Sequence, residues 1–246
     1  MAKRRLLILS LILVVSHPAA AQGTGANAAG LSGSIFKLMN QVGAPGTPAG
    51  ATATPGSAAP AKTTGPTPVA GPEVLRFKVS PAIRQEVIDN FVAEVTASSP
   101  EAGAEWNKLF KGADVFAEMD QQAKTMFGLT TTNLADTWAL YWGYAWLMTQ
   151  GRGDDPTRTQ MTALRNQMQS LMLALPDLTG LNDAQKQQMS DTLLLQVVLF
   201  SALAEAWKND PGSFKQFAGG LAEGSRNMGF DLALLKLTDQ GFVVLK

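Results

Sequence analysis

The sequence predicts an all-α fold, a single bundle of about seven helices, and three observations carry that expectation. Capping residues and prolines that open helices recur from residue 80 onward. Between them, apolar residues repeat at three-to-four spacing, and short Gly or Pro breaks separate one run from the next.

Ser80-Pro81 opens the first helix, with proline at the position where a missing N–H costs nothing. Ile83, Val87, Ile88, Phe91 and Val95 then mark one face as far as Ala97. Pro100 to Lys111 forms a shorter helix carrying Trp106, Leu109 and Phe110, closed by Gly112. Ala113 to Phe127 places Val115, Phe116, Met119 and Met126 on one flank and stops at Gly128. Asn133, with Asp136 three positions on, predicts a reciprocal cap for a helix reaching Gln150 before Gly151. Asp155-Pro156 is expected to open the next helix, which runs through Leu175 and ends at Pro176.

Asn182 caps the longest run, to Lys208. Its first turns are polar, and it is apolar almost all round from Leu193 to Ala204, the pattern of a central helix wrapped by neighbours. That apolar stretch is shorter than the roughly 20 residues a membrane span needs. Asp210-Pro211 opens the last helix, expected to stop near Gly229. The tail, Leu234 to Val244, is rich in β-branched residues around an Asp239-Gln240-Gly241 turn and reads as a small hairpin or an extended strap. No fixed-period repeat is present, which disfavours a solenoid.

Upstream the texture changes. Met1 to Arg5 is basic, Leu6 to Val15 is apolar, and Pro18-Ala19-Ala20-Ala21 supplies small residues, so residues 1–21 read as a secretory signal with the mature chain starting near Gln22. No cysteine follows the apolar core, so a lipid anchor is not expected. The predicted location is periplasmic or secreted. Residues 22–72 are Ala/Gly/Pro/Thr-rich and contain no acidic residue, the composition of a disordered linker. Leu31-Ser-Gly-Ser-Ile35-Phe36-Lys37-Leu38-Met39 interrupts it, either as a docking motif or as a sticky stretch of linker. Residues 73–246 are then the helical domain.

Composition excludes several chemistries. The only histidine, His17, lies in the signal, and the chain has no cysteine, which removes disulfides and the side chains most used as general base, activated nucleophile or zinc ligand. Without the signal, 17 basic residues face 20 acidic ones, so nucleic acid is not an expected partner. No metal, cofactor or catalytic residue is predicted, and no nucleotide-binding or hydrolase signature occurs. An enzyme of this composition would work with carboxylates or with lysine and serine, and among the carboxylates Asp136, Glu118 and Glu205 lie nearest to apolar surroundings.

Two constellations bear on binding. Trp138, Trp142 and Trp146 recur every four residues, with Tyr141 beside them, as an aromatic wall for sugars or an apolar ligand or as ordinary core. Gly151-Arg152-Gly153-Asp154-Asp155-Pro156 pairs two carboxylates in a glycine-rich loop, but lacks the regular spacing and ligand number of a calcium loop. A cap at Asp155 and a partner for Arg152 are the expected roles.

Phe77-Lys78-Val79-Ser80-Pro81, the Gly151 to Pro156 loop, Met228-Gly229-Phe230-Asp231 and Leu237-Thr238-Asp239-Gln240-Gly241-Phe242 together resemble a family of exported, mostly proteobacterial proteins known as a domain of unknown function. The resemblance covers about residues 75 to 244. Its motifs are caps and turns, and it implies no activity. The expected function is a non-catalytic binding or scaffolding domain of the cell envelope, with an envelope protein as partner. A carboxylate enzyme acting on cell-wall glycan and an apolar-ligand carrier using the aromatic helix are the alternatives.

Overall fold

Proline at the first turn sets three of the helix starts, and a side-chain oxygen on a backbone N–H sets most of the others. The computed structural model describes residues 71–227 and 230–245. The expected signal, all but the end of the expected linker and the Leu31–Met39 island lie outside the described residues.

After a 3₁₀ turn at Pro72–Leu75 come α1 (Pro81–Ser98), α2 (Pro100–Gly112), α3 (Val115–Phe127), α4 (Leu134–Thr149) and α5 (Arg158–Leu173). A single helical turn at Pro176–Thr179 leads into α6 (Asp183–Ala206) and α7 (Pro211–Asn227). A second 3₁₀ turn at Leu232–Leu234 runs into β1 (Leu235–Thr238) and β2 (Gly241–Val244). The fold is all-α with a two-stranded antiparallel hairpin at its C-terminus, Leu237 opposite Phe242 and Thr238 opposite Gly241.

Three expected caps are corrected. The helix expected from Asp155-Pro156 begins at Arg158, because Thr157 and Gln160 form a reciprocal capping box. Asp155 instead accepts a hydrogen bond from Tyr144 Oη at 2.9 Å. Asn133 does cap α4, through Ala135 N, but Asp136 does not reciprocate, since its carboxylate is engaged elsewhere. Ser80 occupies the cap position of α1 without using its side chain. Asn182 caps α6 through a full box with Gln185.

The core is built on α4 and α6, which run parallel: Thr137 shares a hydrogen bond with Ser190 at 2.9 Å, and further along both helices Tyr141 packs on Phe200. Helix α5 covers another side of α4, α7 packs against α4, and α1 lies on α6 with α2 outside it. Tyr141, Trp142, Phe200 and Phe217 are fully buried, each removing apolar surface worth about 1.5–3 kcal/mol. By length and composition α6 is apolar enough to cross a membrane, beyond what its Leu193 to Ala204 stretch suggested, but 67% of its most apolar 18 residues is buried within the domain.

From Lys186 onward the polar first half of α6 is largely buried too, and with Asp183 at its exposed start it grips the chain as it enters the domain. Asp183 accepts from Lys78 N at 3.1 Å, and Lys186 Nζ donates to Arg76 O at 3.0 Å. The Gln187 amide takes both backbone groups of Ser80, accepting from its N–H at 2.7 Å and donating to its carbonyl at 2.9 Å. Asp191, with no exposed surface, receives Nε and Nη2 of Arg84, each at 3.2 Å, and Gln187 Nε2 at 3.1 Å. The Arg84 guanidinium also lies 4.3 Å from the centre of the Phe116 ring. On its other side the incoming segment bonds Phe77 N to Thr132 O. Sequence patterning located the wrapped part of α6 at Leu193, whereas burial begins at Lys186, two turns earlier.

Burial pushes the Asp191 carboxyl above its ordinary range, and the Arg84 and Gln187 donors oppose that push. Arg84→Met is therefore expected to cost about 3 kcal/mol or more at neutral pH, by leaving a buried charge unpaired. The folded variant would hold a proton on Asp191 that the unfolded chain releases, so the loss should shrink as pH falls toward the carboxylate range. Urea unfolding at neutral pH and at about pH 4.5 checks this; an equal loss at both contradicts it.

Candidate functional site

A two-stranded hairpin leaves both outer edges with backbone groups unpaired, and such edges must be satisfied or covered. Helices do this here. On the β2 edge, Gln167 of α5 accepts from Phe242 N at 2.7 Å and donates to Phe242 O at 2.9 Å, as a third strand would. On the β1 edge, Trp146 Nε1 of α4 donates to Leu235 O at 2.9 Å. Leu245 N closes the open end onto Leu234 O at 2.8 Å.

The turn is set by Thr238, whose Oγ1 donates to Gly241 O at 2.9 Å and accepts from Gln240 N at 3.1 Å. Gly241 has φ +89°, and a Cβ there would stand 2.3 Å from Gln167 Oε1. Only glycine permits both the backbone conformation and the close approach of the amide.

Clamped in this way, the hairpin and the segment before it form an open groove with α5, about 870 Å³ in volume. Leu171 of α5 lines it together with Leu234 and Val244 from the hairpin side, and these three are 42%, 55% and 71% exposed. Met168 and Phe230 lie deeper. Among the described residues Asp231 is the one ionisable group in the lining, beside the polar Asn166, Gln167, Ser170 and Gln240, and its Oδ1 accepts from Ala233 N.

The aromatic residues singled out from the sequence, Trp138, Tyr141, Trp142 and Trp146, do not line this groove; each is less than a tenth exposed. They stand behind it. Phe230 stacks on Trp142 with ring centres 4.7 Å apart and planes 23° apart, and Trp146 holds Leu235. Trp138 donates to Met189 Sδ at 3.4 Å. Tyr141 Oη and Trp142 Nε1 have no hydrogen-bond partner among the described residues, and burial pushes the Tyr141 phenol far above its ordinary value.

In the Gly151 to Pro156 loop the two carboxylates have different partners. Asp154 pairs with Arg152, Nε to Oδ1 at 2.9 Å, while Asp155 holds Tyr144. Burial and the charge of Asp155 together push the Tyr144 phenol well above its usual range. Arg152 reaches over the Trp146 ring at 5.8 Å. Among the described residues, no three His, Asp or Glu side chains gather as metal ligands would.

The candidate acids are dispersed. Asp136 is buried and accepts from Thr130 N at 2.9 Å and from Arg165 Nε at 2.8 Å. Glu205 pairs with Lys208 at the far end of α6, and Glu118 is half-buried on α3. Trp138 touches Met189, and Glu205 lies sixteen residues beyond Met189, so about 24 Å of helix separates the Asp136 end of the α4–α6 pair from Glu205. Paired catalytic carboxylates stand about 5–9.5 Å apart. Near Asp136, Asp120 accepts from Thr131 N and Oγ1, each at 2.9 Å. Burial alone would raise its carboxyl, but these donors and Lys124 bring it below its usual range.

A family model described as a family of unknown function, DUF6683, matches residues 1–244, reaching upstream of the 75 to 244 stretch over which sequence motifs carried the resemblance. No curated protein and no solved structure matches the chain.

Gly241→Ala is expected to cost about 1–3 kcal/mol through its left-handed backbone. It should also raise hydrogen exchange at the Phe242 amide, since Gln167 would be displaced. Unchanged Phe242 exchange in the variant would contradict the clamp.

Proposed function

The chain belongs to the DUF6683 family, a family of unknown function, and from that premise we propose that it is a non-catalytic binding module, exported to the periplasm or secreted, acting on an envelope partner. The observation that carries the reading is the groove between α5 and the hairpin, where three aliphatic side chains stay exposed on a rigid backing. Exposed aliphatics standing together on a fixed framework are the usual mark of a surface that meets something apolar. Among the described lining residues the one charge is acidic, which suits an amphipathic peptide segment with a positive charge. The basic head and apolar core of residues 1–15 support export.

The uncharged apolar dye Nile red tests the site. Leu171→Asp combined with Leu234→Asp changes exposed positions, where substitutions alter stability little, and is expected to weaken dye binding at least tenfold while leaving the circular dichroism spectrum unchanged. Dye binding unaffected by the pair would refute the groove as a binding surface.

A further inference from the structure

We propose that the groove's first occupant is this chain's own segment Leu31–Met39, which folds back and lies between α5 and the hairpin; this rests on the groove being a binding surface. The segment stands out chemically. Between residues 22 and 72, Leu31, Ile35, Phe36, Leu38 and Met39 fall within nine positions, and the only other large apolar residues are Val42 and Val69. Its one charge is Lys37, and among the described residues the one ionisable residue lining the groove is Asp231. Apolar side chains with a single cation therefore meet a groove whose lining sets Leu171, Leu234, Leu235, Phe242 and Val244 beside neutral polar groups and, among the described residues, one acidic residue.

The route of the chain favours the same pairing. The 3₁₀ turn Pro72–Leu75 packs against α5 and against the helical turn Pro176–Thr179, so the polypeptide joins the domain on the helix that forms one wall of the groove. Leu75 is fully buried and fixes that point. Thirty-one residues separate Met39 from Gly71. A coil of that length has a root-mean-square span of about 30 Å, and α5, at sixteen residues, is about 24 Å long. The segment is thus held near the groove at an effective concentration in the millimolar range, where even a weak apolar contact is largely formed. An external partner would have to displace it, which makes binding conditional on competition.

The cysteine-free mature chain permits a direct test with two double variants, each compared by its rate of intramolecular disulfide formation under mild oxidation. One pairs Ser34→Cys in the segment with Ser170→Cys on the groove wall; the other pairs Ser57→Cys with Ser170→Cys. Chain statistics alone favour Ser57, which is closer to Gly71 along the chain. Docking predicts the reverse, with the Ser34 pair closing at least fivefold faster within a monomer. A Ser34 rate equal to or below that of Ser57, or disulfides that join two chains instead of closing within one, would overturn the proposal. Deleting residues 31–40 separates this failure from failure of the groove. With self-occupancy, the deletion tightens dye binding about tenfold, as removal of a competitor does. If the deletion has no effect while Leu171→Asp with Leu234→Asp still abolishes binding, the groove stands and self-occupancy falls. If the aspartate pair has no effect either, both fall.

Discussion

A carboxylate with no exposed surface has to be met by donors from its surroundings, and Asp191 meets its own on another helix. Arg84 reaches it from α1, and Gln187, one turn earlier on α6, bonds both Asp191 and the backbone of Ser80. Lys186 and Asp183 extend the same ridge to Arg76 and Lys78. Left unpaired, the buried members Lys186, Gln187 and Asp191 would each cost more than their bonds contribute, whereas Asp183 at the exposed end of the ridge can turn to water. The incoming segment and α1 are thereby locked to the central helix. The apolar second half of α6 locks to α4 through shape instead, with Tyr141, Phe200 and Phe217 in contact. One helix joins the two kinds of packing, and the remaining elements are placed relative to it.

The same division of labour builds the groove. Two buried rings of α4 carry the hairpin side: Trp142 supplies the surface on which Phe230 stacks, and Trp146 holds the first residue of β1. Gln167 then supplies the missing neighbour for β2. A hairpin of two four-residue strands would be marginal alone, yet here its edges are fastened to two helices, which gives its exposed aliphatic residues fixed positions. The rings that look like a binding wall in the sequence act one layer behind the surface.

Helix boundaries were legible because each is announced locally. Pro81, Pro100 and Pro211 sit at first turns, Gly128 takes φ 74° after α3, and Asn182 forms its box with Gln185. The cap of α5 was misplaced because Asp155-Pro156 and Thr157-x-x-Gln160 overlap, and the box satisfies two backbone groups where aspartate would satisfy one. The buried polar ridge was not legible. Lys186, Gln187, Ser190 and Asp191 register in the sequence only as polar first turns, and their partners lie about a hundred residues upstream or on α4. The groove was hidden for the same reason, since the spacing of Leu171, Leu234 and Val244 along the chain carries no signal of proximity. Gly241 after Asp239-Gln240 did announce the hairpin, and a glutamine on a neighbouring helix could not be anticipated as its clamp.

Seen physically, the domain is a core in which a polar ridge holds its beginning and side-chain clamps hold its end. The claim that the segment entering at Arg76 to Ser80 is part of the core, fastened through Gln187, is tested most directly by native-state hydrogen exchange at the Ser80 amide. The account predicts that Ser80 exchanges only through global unfolding, with the same opening free energy as the slowest amides of α4. Exchange at Ser80 through a local opening of much lower free energy, as expected for a strand merely resting on the surface, would contradict it.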